Sequence, residues 1–530
     1  MLKSVLFIFC LSVVSFSFAQ TNTILIIADD LGTDYFGFYE NDGDTVDVPN
    51  IRRLLLKGVK FTNMMANPVC SATRSSILTG RYGFRTGVGG IVGGEGGSKS
   101  IDTAENSIPK MLNFFNPSIA KANIGKWHLN QPSPSSNLQS PIALGYNHFE
   151  GPFTGQITNY LNWTKYTNGV PSTVTNYATS ENVNNAVDWL KRTNQSKPFF
   201  LWLAFNAPHS PYHLPPASLH QINNLSGTAS DIQAKPKSYF KAMIQAMDKE
   251  IGRLCDSLKV LNKYENTTII FIGDNGNTPS TSKISPTVNS KGTIYQYGIT
   301  VPCIISGPDV VNPNRTNTAL VNAVDLFATI LELFGFDSWK SSVPANRPID
   351  SKSLMPILKN TSDSIRNWTF SEIFKLTTDA NDGKTIRNRH YKLMKFDNGK
   401  QKLFNLTKDP LETKDLLTEK LSDTDIANYY FLCNELAKLL GVNSFCQTLV
   451  SFYGTLQTKK ILAFPNPFNQ FIYIEKDFDS KPLLILKNSF GQTIYQGYDI
   501  ENQYFGDIPS GLYFLYSSND SVFPIKMIKI

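Results

Sequence analysis

The sequence predicts an α/β protein with one large sheet, parallel or mixed, that is flanked by helices. Mainly apolar runs of six or seven residues, which are typical of buried strands, recur at 23–28, 119–125, 199–205 and 268–273. Helix-like stretches lie between such runs, as at residues 240–261. A chain of 530 residues, 41% hydrophobic and 18% charged, is sufficient for a sizeable core and for two or three domains.

Residues 1–19 have the features of a secretory signal peptide. Lys3 precedes an apolar stretch at residues 5–14, and Ser17-Phe18-Ala19 forms a small-x-small cleavage site before Gln20. Cys10 lacks the preceding small residue of a lipoprotein cleavage box, so we do not expect anchoring through it. No other transmembrane span is predicted. We therefore expect export of the mature protein.

Polar residues directly follow each of the four apolar runs. They are Asp29 and Asp30, Lys126 and His128, His209, and Asp274 and Asn275. Ligands bind at the carboxyl ends of the strands in open parallel sheets, so we expect these side chains to meet at one edge. The set contains oxygen donors, one cation and two histidines.

The oxygen donors favour a hard divalent cation. Asp29, Asp30, Asp274 and Asn275 suit Ca²⁺, or Mg²⁺, better than zinc, which prefers histidine or cysteine. Each segment alone has a simpler explanation. An acidic pair after a strand can be a helix cap or a solvated loop, Asn-Gly is a strong turn signal, and the histidines can be packing residues.

The stretch Cys70-Ser71-Ala72-Thr73-Arg74 decides between these interpretations. A cysteine followed four residues later by arginine, with a small residue between them, resembles the activation signature of the formylglycine-dependent (type I) sulfatases of the alkaline phosphatase superfamily. The four strand ends, together with Lys291, match sulfatase segments in order and approximate spacing. The resemblance covers roughly residues 22–440 and implies the alkaline-phosphatase-like sulfatase fold.

The resemblance also implies roles for the site residues. A formylglycine-generating enzyme, or an anaerobic sulfatase-maturating enzyme, would oxidise Cys70 to formylglycine (3-oxoalanine), whose hydrate is the nucleophile. The metal ligands would be Asp29, Asp30, Cys70, Asp274 and Asn275. The catalytic residues would be Cys70, Arg74, Lys126, His128, His209 and Lys291.

Further roles follow for individual groups in this resemblance. Lys126, His209 and Lys291 would bind the sulfate group, and His209 with Lys291 would protonate the departing sugar oxygen. Asp274 would help to deprotonate the attacking hydroxyl. His128 would take a proton from the remaining hydroxyl, so that sulfate is expelled and the aldehyde returns. Histidine suits such transfers because its pKa lies near neutrality.

The chain departs from the family pattern in two places. Ala72 stands where proline is common, and Thr73 stands where serine is commoner. After Lys291 the family run continues with Glu, Gly-Gly and an arginine before Val-Pro. This chain instead has Gln296, Tyr297-Gly298 and Thr300. The loss of an acid and a guanidinium leaves open a change in loop packing or in a substrate subsite.

The resemblance divides the chain into three parts after the signal peptide. Residues 20–370 would form the catalytic domain, with a further helix at 49–57, and residues 371–455 a smaller α+β subdomain with a hairpin and a helix. Residues 456–530 predict a small β-sandwich of short strands, which resembles the C-terminal sorting domain of the type IX secretion system of Bacteroidetes. The alternative for this part is a carbohydrate-binding β-domain. We expect a secreted or cell-surface protein.

The charge of the chain bears on its binding partners, and its cysteine content bears on possible disulfides. A formal net charge of +7 is modest, and no run of basic and aromatic residues indicates nucleic acid. Export permits disulfides, and Cys433 and Cys446 are close enough in sequence to form one. Buried thiols are the equal alternative.

The predicted substrate is a sulfated polysaccharide, with ulvan first and carrageenan, fucoidan or a host glycosaminoglycan behind it. Its contacts would lie in loops such as 144–170 and 87–98, and the glycine-rich stretch 87–97 predicts a mobile loop near the site. Two other functions are compatible with the fold. A phosphonate or phosphate diester hydrolase would prefer aryl phosphate diesters over aryl sulfates, and a non-catalytic surface glycan-binding protein would have lost some of the site residues.

Overall fold

The structure is a computed structural model that describes residues 22–39, 44–94, 96–193, 197–377, 379–444, 446–447, 463–474, 483–489, 491–517 and 520–530. The predicted signal peptide at 1–19 and the predicted domain boundary at 456 lie outside the described residues.

The helices are α1 (Pro49–Leu55), α2 (Cys70–Thr79), α3 (Gly83–Thr86), α4 (Ile108–Phe115), α5 (Ser140–Ala143), α6 (Ala178–Arg192), α7 (Ala229–Ala234), α8 (Pro236–Val260), α9 (Gln296–Ile299), α10 (Leu326–Leu333), α11 (Met355–Leu358) and α12 (Asp423–Leu440). The strands are β1 (Asn22–Ala28), β2 (Gly58–Phe61), β3 (Met64–Met65), β4 (Ala120–Gly125), β5 (His148–Gly151), β6 (Trp163–Thr167), β7 (Val170–Val174), β8 (Phe199–Ala204), β9 (Thr267–Gly273), β10 (Cys303–Ser306), β11 (Arg315–Asn317), β12 (Val321–Asn322), β13 (Thr369–Ile373), β14 (Gly383–Arg387), β15 (Tyr391–Phe396), β16 (Gln401–Asn405), β17 (Ala463–Phe464), β18 (Tyr473–Ile474), β19 (Leu484–Asn488), β20 (Thr493–Gly497), β21 (Gly511–Ser517) and β22 (Asp520–Lys529).

One mixed sheet of ten strands forms the centre of the molecule, in the order β11-β2-β10-β9-β1-β8-β4-β5-β6-β7. The strands β9, β1, β8 and β4 run parallel in its middle, whereas β10 is antiparallel to β9 and β6 is antiparallel to β5. Every residue of β1, β8 and β9 is buried. Burial on both faces explains why these strands read as continuous apolar runs. The predicted α/β class with a large mixed sheet is confirmed.

Helices cover both faces of this sheet. Leu25 and Ile27 of β1 pack in a core that includes α10, and Ile24 and Ile26 pack on the opposite face with α6 and α8. The helices predicted at 49–57 and 240–261 are α1 and α8. Helix α8 begins earlier than predicted, at Pro236, because proline fits the first helical position, where its missing N–H is not needed.

The carboxyl ends of the four parallel strands meet at one edge. Ala28 pairs with Gly273, and Gly125 pairs with Ala204. A Cβ atom on Gly125, which has φ +95°, would lie 1.9 Å from the Ala204 carbonyl oxygen. Only glycine permits this approach. The chain can therefore turn directly from β4 into the segment that carries Lys126.

A smaller antiparallel sheet, β13-β14-β15-β16, follows the large one. The predicted hairpin is β14 paired with β15, and the predicted helix is α12. Ile373 and Met394 of this sheet pack with Val69 and Ala72, which flank Cys70. The small sheet therefore supports the start of α2.

The chain forms two compact units, Met1–Glu419 with Phe431–Phe445 and Lys420–Tyr430 with Cys446–Ile530. The second unit contains a four-stranded antiparallel sheet, β20-β19-β21-β22, and the strand pair β17-β18 around a core of its own. Cys433 and Cys446 are disulfide-bonded. Within the described ranges, no helix has the length and apolar character that crossing a membrane requires.

Glu372 of β13 makes the stability of the protein depend on pH. The side chain is buried, its Oε1 accepts the Phe84 N–H at 2.7 Å, and its Oε2 has no hydrogen-bond partner among the described residues. Burial raises the pKa of Glu372 from 4.5 to about 7. The folded state therefore binds more protons than the unfolded chain between these values, so stability falls as pH rises through this window.

We expect Glu372→Gln to be more stable than the natural protein above about pH 7, by up to about 3 kcal/mol, and the difference to vanish below about pH 4.5. Denaturant unfolding of both proteins across this range measures it. Glu265→Gln, on an exposed ion pair with Lys57, is the control and should show no such trend. A stability difference for Glu372→Gln that does not change with pH would contradict the assignment.

Candidate active site

Cys70 lies at the first position of α2, next to the edge where the four parallel strands end. Its side chain is buried, and its Sγ lies 3.2 Å from His128 Nδ1. Burial raises the pKa of the Cys70 thiol, although Lys126 and Lys291 oppose the shift. A buried thiol with a raised pKa is a poor nucleophile. Cys70 in its thiol form is therefore unsuited to attack a substrate itself.

Three buried carboxylates surround this position, and each has a cationic partner. Asp29 Oδ2 accepts from Lys126 Nζ at 2.5 Å. Asp30 lies 2.6 Å from Lys291 Nζ through Oδ1 and 2.8 Å through Oδ2. The guanidinium of Arg74 donates to Asp274 Oδ2 through Nη2 at 2.8 Å and through Nε at 3.1 Å. Arg74, which lies one helical turn beyond Cys70, is thus oriented by Asp274.

The carboxylates differ in how easily they ionise. Burial opposes ionisation of Asp30, but Lys291 and His209 outweigh it and hold the pKa of Asp30 below its usual range. Burial, together with repulsion from Asp29, raises the pKa of Asp274 to about 6, although Arg74 opposes the shift. Additional positive charge at this cluster would therefore favour the ionised form of Asp274 most.

The oxygen donors fit a divalent cation. Asp29 Oδ1 and Asn275 Oδ1 are buried oxygens without a hydrogen-bond partner in the part of the chain that the structure describes. Ligand atoms of Asp29, Cys70 and Asp274 lie within 4.8 Å of one another, as do those of Asp29, Asp30 and His209. Orphaned oxygens in an acidic, buried cluster suit Ca²⁺ or Mg²⁺.

His128 is held in an unusual backbone conformation, with φ +55°. Its Nε2 lies 3.1 Å from the Val92 carbonyl oxygen, and its Nδ1 faces Cys70. Burial, followed by the charges of Lys126 and Arg74, lowers the pKa of His128 well below its usual value. A Cβ atom on Gly155 would lie 2.3 Å from the imidazole ring, so the connection between β5 and β6, within the predicted 144–170 loop, contributes to this wall of the site.

His209 lies nearer to solvent than His128. Its Nδ1 donates to the Ser210 carbonyl at 2.7 Å, and its Nε2 lies 3.6 Å from Asp30 Oδ2. The Tyr160 hydroxyl lies 2.8 Å and 2.7 Å from the carbonyl oxygens of Asn206 and His209 and shares its hydrogen between them. Tyr160 is absent from the predicted site, and its only sequence signal is its place in the 144–170 loop.

The structure brings every predicted site residue together at the sheet edge. These are Asp29, Asp30, Cys70, Arg74, Lys126, His128, His209, Asp274, Asn275 and Lys291. His209 and Lys291 are the most exposed of these residues, at 12% and 14% of their side chains, whereas the others are buried. These two groups therefore line the opening, and the others lie beneath them.

Gln296, where the chain departs from the family pattern, forms a hydrogen bond between neutral side chains. Gln296 Nε2 donates to Thr300 Oγ1 at 2.6 Å, across the four-residue helix α9. The Gln296 backbone N–H donates to Glu412 Oε2 at 2.5 Å. Gln296 and Thr300 therefore bond to each other, and the contacts of these two side chains belong to loop packing rather than to the carboxylate cluster.

The described residues of the glycine-rich stretch 87–97 make close tertiary contacts, and the mobility expected of this stretch stays a prediction. The Gly89 and Gly97 carbonyls accept backbone N–H groups of Phe374 at 3.2 Å and Leu376 at 2.8 Å. A Cβ atom on Gly89 would lie 2.1 Å from the Phe374 ring. The glycines permit close packing, which the sequence alone does not distinguish from flexibility.

Adding Ca²⁺ to chelated protein should raise its melting temperature, because the ion binds only the folded cluster. At a hundredfold excess over Kd the gain is about 2.7 kcal/mol. Asp274→Asn is expected to lose this response, as measured by thermal unfolding with and without the ion. Asp325→Asn, at a buried carboxylate that pairs with Arg366 elsewhere, should keep it. An undiminished response in Asp274→Asn would place the ion outside this cluster.

Comparisons with known proteins agree with this geometry. The family described as "Sulfatase" matches residues 21–336, and "N-sulphoglucosamine sulphohydrolase, C-terminal" matches residues 288–438. A sulfatase of Formosa agariphila is 26% identical over 76% of this chain and 85% of its own length. Arylsulfatase J of Mus musculus is 26% identical over 61% of this chain, which spans 56% of the mouse protein.

Solved structures show the same fold. The crystal structure of Ps i-CgsB in complex with k-i-k-neocarrahexaose superimposes with a TM-score of 0.66 at 26% identity, covering 82% of this chain and 95% of that one. The predicted sulfatase fold is thereby confirmed. Since the sulfatase match spans more than half of the sequence and contains the cluster around Cys70, the chain belongs to the sulfatase family of sulfuric ester hydrolases.

Proposed function

We propose that the protein hydrolyses sulfate esters of a sulfated polysaccharide, or of its oligosaccharides, through a formylglycine made from Cys70. One observation carries the proposal. The Cys70 side chain points both at His128 Nδ1, 3.2 Å away, and into the ligand group that it forms with Asp29 and Asp274. A hydroxyl on the Cβ of residue 70 would therefore have a base and a cation site beside it. The formylglycine hydrate supplies that hydroxyl as the nucleophile.

The exposed and buried groups suit different proton transfers. His209 lines the opening, where the sugar oxygen would depart, and is the proposed proton donor to it together with Lys291. His128 is buried against residue 70 and is the proposed base for its remaining hydroxyl. Lys126 and Lys291 are held by carboxylates beside the nucleophile position, where ammonium groups stabilise sulfuryl oxygens.

The proposed substrates are sulfated algal polysaccharides. The solved structure at 26% identity holds a neocarrahexaose, which supports carrageenan as a substrate class to test. Ulvan, the first prediction from the sequence, stays a prediction, as do fucoidan and glycosaminoglycans. Sulfate release from all four polymers compares them directly.

We further propose export to the cell surface or the medium, through the signal at 1–19 and a type IX sorting domain at 456–530. The small antiparallel sheets of the terminal unit are compatible with such a domain. The maturation partner would be a formylglycine-generating or anaerobic sulfatase-maturating enzyme that recognises residues 70–74.

Coexpression with a formylglycine-generating enzyme should convert Cys70, and the peptide that contains it should show the mass of the aldehyde. Sulfate release from the polysaccharide panel should follow and disappear in Cys70→Ala. Cys255→Ala, which removes another buried free thiol, is the control and should retain release. Glycan binding without sulfate release by a converted protein would favour a binding protein, and faster turnover of aryl phosphate diesters than of aryl sulfates would favour the diester hydrolase.

Tyr160→Phe should lower kcat for sulfate release by roughly fivefold, since it removes one hydrogen bond of about 1 kcal/mol that holds the His209 segment. Its ring and its stacking on His213, at 4.2 Å between centroids, remain. Steady-state kinetics measure the effect. Tyr39→Phe removes a buried hydroxyl that bonds the Cys303 carbonyl away from the site, so its kcat should be unchanged. Equal losses in both variants would argue against a specific role for Tyr160.

A further inference from the structure

We propose that Ser71 is a positioning residue for His128, and that it acts together with the backbone of Val92 in the glycine-rich stretch. The two groups fix which imidazole nitrogen faces residue 70. This inference rests on the proposed function, in which His128 acts as a base toward that residue. It gives a role to the glycine-rich stretch and to the motif residue after Cys70.

The Ser71 hydroxyl joins three segments. It donates to the His128 carbonyl at 2.9 Å and accepts the Val92 N–H at 3.1 Å. Ser71 belongs to α2, His128 follows β4, and Val92 lies in the 87–97 stretch. The side chain is fully buried. Water therefore cannot readily replace these two bonds if the hydroxyl is removed.

The second contact orients the ring of His128. The Val92 carbonyl oxygen lies 3.1 Å from Nε2, and a carbonyl can only accept, so Nε2 carries the hydrogen. In the neutral imidazole, Nδ1 then has the free lone pair, and it faces Cys70 Sγ at 3.2 Å. The Val92 backbone thus contacts both residues. Its N–H donates to Ser71 Oγ, and its carbonyl accepts from His128 Nε2.

The backbone of His128 requires such support. A φ of +55° is disfavoured for a residue with a Cβ atom, because the Cβ comes too close to the backbone. The His128 N–H donates to the Phe153 carbonyl at 3.0 Å, and its carbonyl accepts from Ser71. Hydrogen bonds on both sides of the Cα therefore hold the conformation that aims the ring.

The position of Val92 is itself fixed from outside. Beyond the bonds to Phe374 and Leu376, the Ser98 N–H donates to the Ile91 carbonyl at 2.9 Å. A Cβ atom on Gly97 would lie 2.2 Å from that same carbonyl oxygen. The stretch is therefore a closed, packed turn that presents the Val92 carbonyl at a set place.

A purely structural serine on α2 has a simpler option. Thr79, on the same helix, bonds its hydroxyl to the Ser75 carbonyl one turn earlier, at 2.8 Å. Ser71 instead reaches two segments outside the helix, and both belong to the surroundings of His128. The Ser71 hydroxyl therefore bonds the surroundings of His128, whereas the Ser75 hydroxyl, which also reaches outside α2, bonds Thr86.

Histidine ¹⁵N NMR tests the inference without any turnover. The chain has six histidines, and the His128 signal is assigned by its loss in His128→Gln. We expect His128 in the natural protein to be protonated at Nε2 and unprotonated at Nδ1. We expect Ser71→Ala to give a mixture of both tautomers. Ser75→Ala should match the natural protein, because it removes a buried hydroxyl of the same helix whose hydrogen bond, among the described residues, is to Thr86 Oγ1 and not to the surroundings of His128. An Nδ1–H tautomer in the natural protein, or an unchanged spectrum in Ser71→Ala, would overturn the proposal.

Kinetics provide the second readout. Per mole of formylglycine, counted by peptide mass, Ser71→Ala should lower kcat by about tenfold with KM nearly unchanged, while Ser75→Ala should keep both. Equal kcat in Ser71→Ala and Ser75→Ala would overturn the proposal. A natural protein that carries formylglycine yet releases no sulfate would instead defeat the proposed function, and the tautomer measurement would still decide the role of Ser71.

Discussion

Three carboxylates and three cations form one cluster of largely buried side chains, and their mutual pairing is the interaction on which the other features of the site depend. The pairs are Asp29 with Lys126, Asp30 with Lys291, and Asp274 with Arg74. Removing one member of a buried pair leaves an uncompensated charge at a cost of about 3–5 kcal/mol. Burial, together with repulsion from Asp29, raises the pKa of Asp274 despite its pairing with Arg74, and the orphaned oxygens of Asp29 and Asn275 mark where more positive charge fits.

This balance requires a rigid frame, which the middle of the large sheet supplies. Asp29 and Asp274 follow directly on neighbouring parallel strands that pair along their whole length. The Asp29 N–H bonds the Ala207 carbonyl and the Asp274 N–H bonds the Ala28 carbonyl, so the chain remains tied beyond the ends of the strands. Positions set by backbone hydrogen bonds move less than positions set by side chains alone, which suits groups whose charges must stay paired.

Sequence patterns predicted the features of the site that depend on strand order, and they missed the features that depend on tertiary contacts. The ligand pairs after β1 and β9 follow from continuous apolar runs and from the rule that such runs end at one edge. Tyr160 and Ser71 could not be predicted in this way, because their hydroxyls bond backbone groups that are distant in sequence. The close packing of Gly89 against Phe374 was not predicted, because a glycine needed for close packing has the same signature as one needed for flexibility. The replacement of the family's acid and arginine by Gln296 and Thr300 could not be interpreted from the sequence, because it depends on a hydrogen bond between the two side chains.

The smaller sheet is part of the active site although none of its residues enters the cluster. Through Ile373 and Met394 it packs against the residues that flank Cys70, and through the Phe374 backbone it holds the glycine-rich stretch that contacts His128. Cys70 and His128 come from different segments of the chain, and both are supported by the smaller sheet. A shift of this sheet would therefore move both members of the Cys70–His128 pair, whose separation of 3.2 Å leaves little tolerance. The geometry of the Cys70–His128 pair thus depends on the smaller sheet as well as on the sheet edge where the two residues meet.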